Sequence, residues 1–496
     1  MKILSSKQIR DADQFTIKHE PITSIDLMER ACQAFVTKFL SLHPEKNKVS
    51  IFCGTGNNGG DGLAIARLLI EKSWEVAVFV IGDTENGSSD FKTNLGRLSF
   101  FEKINDAEDF PVISDSSIII DGLFGSGLSR PVDGIHSELI EFLNQQNAQR
   151  IAIDISSGLF ADAPLPEEAL AFEADFTISF QTPKLSFFLP DCEKYIGRWR
   201  VVDIGLDQNF IQNQTTVFHV SEGRHMRALV PERSTFTHKS QVGRLMIVAG
   251  SKGKMGAAVL CARAAFKAGA GLVNVHAPAC GVDILQVSIP EAMVSADKGE
   301  NYVHSLPQTT DSIAIGPGLE TKRETVIAIK NFLTSYERPV VIDADGINML
   351  SQHNDLIQSL PKESILTPHP GEFKRLVGEW RHDFEKLDKL KIFCSNRGFN
   401  VVLKGAYSAM CNSAGEIHFN PTGNPGLATA GSGDVLTGMV GAMLAQGLAP
   451  FDALRLAVYL HGLAGDEAIR VLQTQWIQAS DIIDFIPHAA RSLTSS

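Results

Sequence analysis

The sequence predicts an α/β protein of two domains, each built on a largely parallel β-sheet. Short apolar runs alternate with amphipathic segments along the whole chain, which is typical of strands joined by crossover helices. Many of the apolar runs end in loops rich in glycine and aspartate, as expected where parallel strands end at one edge of a sheet. The 496 residues, 44% hydrophobic and 21% charged, suffice for more than one core.

The composition excludes several classes of protein. A formal net charge of -12 argues against nucleic acid or an anionic membrane as a partner. The seven cysteines are odd in number and form no C-x-x-C pair, so we expect reduced thiols and no cysteine metal site. The N-terminus has no apolar signal region, and no run is long enough to cross a bilayer. We therefore expect a cytoplasmic protein, and a homo-oligomer that acts on small molecules.

The first domain opens with two helices, over residues 5–18 and 22–41, because apolar residues recur there at helical spacing. A strand over 48–53 then leads through a glycine-rich loop over 54–62 into an amphipathic helix. This order of strand, loop and helix is typical of a phosphate-binding unit.

The glycine-rich loop allows two interpretations. Gly54, Gly56 and Gly59 match the G-x-G-x-x-G pattern, and Asp83 follows the next strand, so a Rossmann dehydrogenase is one alternative. The loop also carries polar residues that a dinucleotide turn does not require, and we expect their oxygens to bind a ligand or cation: Asn57, Asn58 and Asp61.

Two further predicted strands, over 117–120 and 150–153, end at Asp121 and Asp154. Each aspartate alone would be interpreted as a turn or cap residue. Together with Asp61 they follow three predicted parallel strands, whose carboxyl ends meet in one crevice, so we expect a site there. Oxygens of Asn58, Asp121 and Ser157 would suit a monovalent cation.

The end of the first domain is predicted between residues 207 and 216, where the sequence becomes polar and aperiodic. The segment 176–206 before it supplies the last strands of the sheet. We expect Lys184 in this segment to be solvated, with contact to a ligand phosphate as the alternative.

The second domain repeats the alternation of strands and helices without repeating the motifs. A strand over 242–249 precedes a glycine-rich turn and a helix over 257–268, without a P-loop match. His369 lies between two prolines, which predicts a rigid loop, either at a site or on the surface. Lys404 follows an apolar strand and either reaches a nucleotide phosphate or caps the sheet edge. Residues 408–420 are expected to form a β-hairpin.

The stretch 424–438 concentrates small residues before an apolar helix expected over 435–446. Unobstructed backbone N–H groups at Gly431 and Gly433 and the positive end of the helix dipole would bind an anion. Asp434 beside them either complements the helix N-terminus or accepts a proton from a hydroxyl.

Several motifs in order resemble one known family. The second half resembles ribokinase-like NAD(P)H-hydrate dehydratases in Gly250-Ser, Gly316-Pro-Gly, Asp343-Ala-Asp, Leu366-Thr-Pro-His-Pro-Gly-Glu, Leu403-Lys-Gly-Ala and Ala430-Gly-Ser-Gly-Asp434. The first half is similar to NAD(P)H-hydrate epimerases of the YjeF N-terminal type in Asn57-Asn-Gly-Gly-Asp61, Asp121-Gly-Leu-Phe-Gly-Ser-Gly and Asp154 to Ser157-Gly-Leu. The resemblance covers nearly the whole chain.

The resemblance implies a Rossmann-like three-layer α/β/α sandwich over residues 1–215 and a ribokinase-like α/β/α domain over 222–494. The first domain would interconvert the R and S hydrates of NADH and NADPH. The second would dehydrate the S epimer with ADP, or possibly ATP, as co-substrate, with Mg²⁺ on the nucleotide and release of AMP and phosphate. The protein would thus be an isomerase and a lyase of metabolite repair.

The resemblance also implies site residues. In the first domain the hydrate would be held by Asn57, Asn58, Gly59, Gly60, Asp61, Gly125, Ser126, Gly127, Leu128, Ser129, Arg130, Pro131 and Asp154. Potassium would be bound by Asn58, Asp121 and Ser157. The hydrate site of the second domain would contain Ala257, Gly318, His369 and Asp434. The nucleotide would be bound by Lys404, Gly405, Ala406, Tyr407, Ser408 and Gly433.

In this assignment Asp434 and Asp154 are the catalytic residues. Two positions depart from the family pattern: Ser156 stands where the cation loop usually has proline, and Cys32 where an early helix has glycine. Neither change removes a chemical group from the site. The alternatives are a ribokinase-like small-molecule kinase fused to a non-catalytic binding or scaffold domain, and the Rossmann dehydrogenase.

Overall fold

The computed structural model describes residues 1–309 and 311–495. By its internal contacts the described chain divides into two compact units. The first consists of Met1–Phe218 with the short segment His382–Phe384, and the second contains the rest.

The elements of the first unit alternate as the sequence predicts, and those whose bounds were predicted lie within a few residues of the expected ones. Along the chain they are α1 (Ser6–His19), α2 (Ser24–Leu42), β1 (Val49–Cys53), α3 (Asn57–Glu71), β2 (Val76–Ile81), α4 (Ser89–Arg97), β3 (Glu102–Ile104), β4 (Ile118–Gly122), α5 (Gly134–Asn144), β5 (Gln149–Ile153), β6 (Phe176–Phe180), α6 (Glu193–Ile196), β7 (Arg198–Val202) and α7 (Gln208–Asn213).

The opening helices begin at capping residues. Ser5 before α1 accepts a hydrogen bond from the backbone N–H of Gln8, and Thr23 before α2 accepts one from that of Asp26. In both cases the third residue of the helix returns a contact to the cap backbone, which satisfies N–H groups that a helix start leaves unpaired.

The first sheet has the order β3-β2-β1-β4-β5-β6-β7, and its strands pair in parallel. The direction of the order reverses between β1 and β4, so the loops that follow these two strands flank a crevice where ligands bind in such sheets. β1, β4 and β6 are buried at every position, because helices cover both faces of the sheet.

Each face of the first sheet has its own apolar core. Phe35 and Phe39 of α2 and Leu63 of α3 pack on one face. Leu139 and Leu143 of α5 pack on the other. The predicted three-layer α/β/α arrangement of the first domain is therefore confirmed.

The second unit contains more elements in the same alternation. They are β8 (Phe218–Val220), α8 (Gly223–Arg227), β9 (Arg244–Val248), α9 (Met255–Lys267), β10 (Leu272–Ala277), α10 (Val282–Ser288), β11 (Met293–Ala296), β12 (Ser312–Ile315), α11 (Arg323–Leu333), β13 (Val340–Ile342), α12 (Asp345–Gln352), α13 (Asn354–Ser359), β14 (Ile365–Leu366), α14 (Pro370–Val377), α15 (Asp383–Arg397), β15 (Asn400–Leu403), β16 (Ala409–Cys411), β17 (Ile417–Phe419), α16 (Ser432–Ala445), α17 (Pro450–Leu472) and α18 (Ala479–Ser495).

The second sheet has ten strands in the order β11-β10-β9-β12-β13-β14-β15-β16-β17-β8. The run from β11 to β15 is parallel, whereas β15, β16 and β17 pair antiparallel. The hairpin of β16 and β17 confirms the one predicted over residues 408–420. A large core packs α9, α16, α17 and α18 together against the sheet.

All seven cysteines are free thiols, as expected, and six of them are buried. The described residues contain no cluster of three or more His, Cys, Asp or Glu side chains arranged to hold a metal ion. Among the described helices, none combines the length and the apolar character needed to span a bilayer.

The contact between α9 and α16 depends on a glycine. A Cβ atom added at Gly438 of α16 would lie 2.0 Å from the carbonyl oxygen of Cys261 in α9. Because the obstacle is helix backbone, no side-chain rotation can relieve the overlap. The absence of a side chain at Gly438 therefore sets the distance between the two helices.

We expect Gly438→Ala to lower the free energy of unfolding of the second unit by roughly 1–3 kcal/mol, the usual cost of overpacking a core. Calorimetric unfolding of the full chain measures this. Gly256→Ala in α9 is the matched control, since its added Cβ meets no described atom within 4 Å. The control should be neutral or gain up to about 1 kcal/mol from helix propensity. Equal effects of the two substitutions would contradict the steric argument.

Candidate active sites

The loops after β1, β4 and β5 enclose a cavity of about 640 Å³ at the switch point of the first sheet. The structure brings most of the predicted first-domain residues to its wall: Asn57, Asn58, Asp61, Gly125, Ser126, Gly127, Leu128 and Asp154. Gly59 and Gly60 are buried beneath this wall. The cavity lining does not include Ser129, Arg130 or Pro131.

The first turn of α3 brings the Asn57–Asp61 segment to the cavity. A Cβ at Gly59 would lie 1.7 Å from the carbonyl oxygen of Gly54, so only glycine lets the helix start this close to the end of β1. The glycines of this loop thus fix the position of the helix N-terminus, while the polar residues between them face the ligand space.

Asp154 lies in the cavity wall just after β5 with a φ of 63°, a left-handed conformation that non-glycine residues rarely adopt. Its Oδ1 atom accepts hydrogen bonds from the ammonium of Lys184 at 2.5 Å, the amide of Phe180 at 2.9 Å and the hydroxyl of Ser179 at 3.1 Å. These contacts leave Oδ2 as the oxygen available to a ligand.

The prediction that Lys184 is solvated was wrong. Its side chain is only 1% exposed, and its Nζ atom donates to Asp154 and, at 3.0 Å, to Ser179. An ammonium can be buried here because a carboxylate and neighbouring polar oxygens replace its water shell. Lys184 is thus part of the site through Asp154, and its ammonium is buried beside that carboxylate instead of reaching solvent.

Of the three residues predicted to bind a cation, Asn58 lines the cavity, whereas Asp121 and Ser157 are fully buried and hydrogen-bonded to each other. Asp121 is fully buried and accepts hydrogen bonds from the hydroxyl of Ser157 at 2.6 Å, the amide of Ser157 at 2.8 Å and the amide of Leu123 at 3.1 Å. Burial raises the pKa of Asp121 to about 6, although these donors oppose the rise. Nearby, the buried Nδ2 of Asn58 has no hydrogen-bond partner among the described residues.

The two departures from the family pattern have structural partners. Ser156 is buried, and its hydroxyl donates to the carbonyl of Tyr195, which anchors the loop that a proline would otherwise stiffen. The thiol of Cys32 lies 3.5 Å from Oδ1 of Asp61 and donates to it. Burial raises the pKa of Asp61 well above its ordinary value.

Asp13 is a residue of this cavity that was not predicted from the sequence. It lies on α1 and lines the same cavity as Asp61 and Asp154. A signal was present, because Ile9, Ala12 and Thr16 define the inward face of α1, and Asp13 lies on that face at helical spacing. A charged residue within an apolar stripe indicates either a buried partner or a ligand.

The second candidate site lies where α16 begins. The helix starts at Ser432 and not at the predicted residue 435, because Gly431 adopts a left-handed φ of 86° and serves as the N-cap. Gly433 and Asp434 therefore belong to the first helical turn, where free backbone N–H groups and the positive dipole end favour an anion.

Asp343, at the end of β13, connects this turn to the sheet. It is 2% exposed and accepts hydrogen bonds from Lys404 Nζ at 2.9 Å and from the hydroxyl of Thr437 in α16 at 2.6 Å. A Cβ at Gly433 would lie 3.2 Å from Lys404 Nζ, so the lysine reaches the helix start. Burial and the Asp343 carboxylate raise the pKa of Asp434 to about 6, while Lys404 opposes the rise.

The other predicted residues of the second domain lie in neighbouring loops and turns. Ala257 and Gly318 are in contact, since a Cβ at Gly318 would lie 3.2 Å from that of Ala257. His369 is the N-cap of α14: its Nδ1 accepts hydrogen bonds from the amides of Gly371 and Glu372, and its ring is about half exposed. Its position before the helix agrees with the predicted loop, and capping accounts for one of its two ring nitrogens.

The predicted nucleotide-binding segment is the turn between β15 and β16. Its middle residues, Gly405 and Ala406, are exposed, and Ser408 closes the turn through hydrogen bonds with the backbone of Gly405. Lys404, at the start of the turn, is engaged by Asp343 as described. The turn thus leaves the backbone of Gly405 and Ala406 accessible beside the ammonium group of Lys404, which Asp343 holds in place.

The chain is similar to known proteins over almost its full length. Residues 245–488 match the family model described as NAD(P)H-hydrate dehydratase, and residues 24–186 match the YjeF-related protein N-terminus. The bifunctional NAD(P)H-hydrate repair enzyme of Moorella thermoacetica is 34% identical over 99% of this chain and 97% of its own. That of Escherichia coli is 31% identical over 93% of this chain and 88% of its own.

Solved structures resemble the second unit. A ribokinase-like superfamily protein of Enterococcus faecalis has a TM-score of 0.51 and 25% identity, and covers 57% of this chain and 99% of its own. The ADP/ATP-dependent NAD(P)H-hydrate dehydratase of Bacillus subtilis, co-crystallised with ATP and Mg²⁺, has a TM-score of 0.50 and 29% identity, and covers 55% of this chain and 98% of its own. The ribokinase-like fold predicted for the second domain is confirmed. The chain therefore belongs to the family of bifunctional NAD(P)H-hydrate repair enzymes.

Proposed function

We propose that the first unit interconverts the R and S hydrates of NADH and NADPH, and that the second dehydrates the S hydrate at the expense of ADP or ATP. The observation that carries this proposal is the similarity to repair enzymes across both halves of the chain, in one order and with almost complete coverage. The geometry of the two sites supplies residues for each step.

Dehydration requires a poor leaving group, the hydrate hydroxyl, to be activated. In our assignment Asp434 accepts the hydroxyl proton while the oxygen attacks the terminal phosphoryl group of the nucleotide. The N–H groups at the start of α16 and the ammonium of Lys404 stabilise the charge that develops on the phosphoryl oxygens. Loss of phosphate from one ring carbon and of a proton from the adjacent carbon then restores the ring double bond, and with ADP the other product is AMP.

Ala257, Gly318 and His369 would complete the hydrate site, and the turn from Lys404 to Ser408, with Gly433, would bind the nucleotide. Bound Mg²⁺ would neutralise phosphate charge during transfer. The described residues offer no cluster of acidic side chains for it, so phosphate oxygens and water would supply most of its ligands. Assembly as a homo-oligomer and a cytoplasmic location stay predictions from the sequence.

The competing small-molecule kinase would use the same helix start and the same base. It differs in its product, because a kinase would release a stable phosphorylated compound, whereas dehydration releases inorganic phosphate. The relatives that match nearly the whole chain are named as repair enzymes, so the kinase is the less favoured interpretation.

The buried cluster of Asn58, Asp121 and Ser157 fits a potassium ion. The carboxylate of Asp121 is fully buried, and its donors are a hydroxyl and backbone amides, none of which carries a positive charge. Rotating the Asn58 amide exchanges its nitrogen and oxygen, which would turn an unpartnered donor into an oxygen ligand. These three side chains would hold the ion, which would offset the carboxylate charge and fix the loop that follows Asp154.

Asp434→Asn and Asp154→Asn should have reciprocal effects. The first variant should lose dehydration by about 10²–10⁴-fold, the usual contribution of a general base, and retain epimerisation. The second should lose epimerisation and still dehydrate the S hydrate. NADH recovery at 340 nm measures dehydration, and chromatography of the two epimers without nucleotide measures epimerisation. Loss of both activities in either variant would contradict the division between the units.

Dehydration should rise with pH through about 6, since Asp434 acts only when ionised and its pKa is raised to about 6. Below that pH the carboxyl holds its proton, so the rate should fall about tenfold per pH unit; above it the rate should be constant. Phosphate release from the S hydrate between pH 5 and 8, at saturating nucleotide and Mg²⁺, measures this. In Asp434→Glu the midpoint of the pH profile should move. If the profile instead reported titration of the nucleotide, the midpoint would be the same in the variant and in the wild-type protein.

Potassium should raise the melting temperature of the first unit more than sodium at equal ionic strength, because it binds the folded site and not the unfolded chain. Asp121→Asn should abolish this difference. Asp115→Asn, an exposed aspartate shortly before β4, is the matched control and should keep it. Equal stabilisation by both ions in the wild-type protein would count against a potassium site.

A further inference from the structure

Four carboxyl groups line the cavity of the first unit. Both oxygens of one of them, Asp83, accept hydrogen bonds from Glu85 and Asn86. The other three come from separate elements. Asp13 comes from α1, Asp61 from the first turn of α3, and Asp154 from the loop after β5. The assigned chemistry uses Asp154, and the family resemblance includes Asp61. Asp13 has no role in either.

The three groups differ in what holds them. Asp154 receives hydrogen bonds from Lys184, Ser179 and Phe180 on one oxygen. Asp61 receives the thiol of Cys32. The carboxyl of Asp13 makes no hydrogen bond or ion pair with any residue that the structure describes. Asp13 is therefore the carboxyl group whose two oxygens are both available to a ligand in the cavity.

The burial of Asp13 favours its protonated form. Burial raises its pKa to about 7, the Asp154 carboxylate adds to the rise, and the Lys184 ammonium opposes it. The other charged or titratable side chains in the cavity wall are Arg10 on the same helix, Asp61, Asp83 and His136. Near neutral pH both forms of Asp13 are populated, which suits a group that gives and takes a proton within one cycle.

Asp154 has the opposite environment. The ammonium of Lys184 and two further donors all contact Oδ1 of Asp154, which leaves Oδ2 to accept a proton from the hydrate hydroxyl. Two carboxyl groups in one cavity, one with three donors and one with none among the described residues, are suited to different roles in proton transfer.

We propose that Asp13 is the acid partner of Asp154 in the epimerase site and gives its proton to the ring nitrogen of the hydrate. This inference rests on the proposed epimerase function of the first unit. It adds a catalytic residue that neither the motifs nor the similarity to relatives identifies.

The step is balanced as a ring opening and closure. Asp154 takes the proton of the hydroxyl on the carbon next to the ring nitrogen, and the carbon–oxygen bond becomes a carbonyl. The carbon–nitrogen bond breaks, its electron pair goes to nitrogen, and nitrogen takes the proton of Asp13. After the carbonyl rotates, nitrogen attacks its other face, returns its proton to Asp13, and the oxygen recovers its proton from Asp154. No oxidant or other reactant is needed.

Asp13→Asn tests the proposal in the full-length protein. The rate at which pure R hydrate approaches the epimer mixture, without nucleotide and corrected for the uncatalysed rate, should fall by about 10²-fold or more in kcat, with little change in KM. Dehydration of S hydrate by the same preparation should be unchanged, which shows that the chain is folded. Asp11→Asn, an exposed aspartate on the same helix, is the matched control and should epimerise normally.

A pH profile separates proton donation from a merely structural role. Because Asp13 must be protonated to donate, wild-type kcat should fall as pH rises through about 7. Asp13→Glu should restore part of the rate, and the pH at the midpoint of this fall should be displaced. Asp13→Asn should lack this limb of the profile, the fall in kcat with rising pH. Near-normal epimerisation by Asp13→Asn with the limb intact would overturn the assignment of Asp13. If the wild-type protein does not interconvert the epimers at all, the epimerase function itself fails.

Discussion

Parallel pairing of the central strands is the constraint on which both candidate sites depend. It places the carboxyl ends of strands that are far apart in sequence at one edge of each sheet. Ser157 can then donate to Asp121 across 36 positions of the chain, and Thr437 to Asp343 across 94. The glycines at the helix starts bring backbone N–H groups up to the same edge. Without this pairing the functional side chains would be ordinary polar residues in separate loops.

The two sites share an electrostatic arrangement although their motifs differ. In each, a lysine is paired with a buried aspartate, Lys184 with Asp154 and Lys404 with Asp343. Each of these aspartates lies near a second carboxyl group, Asp13 beside Asp154 and Asp434 beside Asp343. Its negative charge raises the pKa of that second group, in addition to the effect of burial. In each site one carboxylate is thereby partnered by an ammonium group, and the pKa of the second carboxyl group is raised toward neutral pH. Such a combination supports proton transfer at physiological pH.

The sequence predicted the strands, the hairpin and the loop positions well, because buried strands are apolar runs and glycine-rich turns have few possible conformations. Prediction from the sequence failed where the environment of a side chain depends on distant parts of the chain that pack against it. Lys184 cannot be told from a surface lysine until the loop after β6 is placed beside Asp154. Asp13 lies on the inward face of α1, but the sequence does not show that this face borders a cavity. The start of α16 was misjudged because a left-handed Gly431 moves the cap back to that residue. Partners distant in sequence are invisible to local periodicity.

The left-handed backbone of Asp154 has a cost in folding stability. A non-glycine residue in that conformation costs on the order of 1 kcal/mol or more, and glycine or asparagine would accept it with less strain. Folding stability alone would therefore favour an uncharged residue, glycine or asparagine, at this position. The fold nevertheless has a carboxylate here, so it tolerates local strain at a residue that lines the cavity.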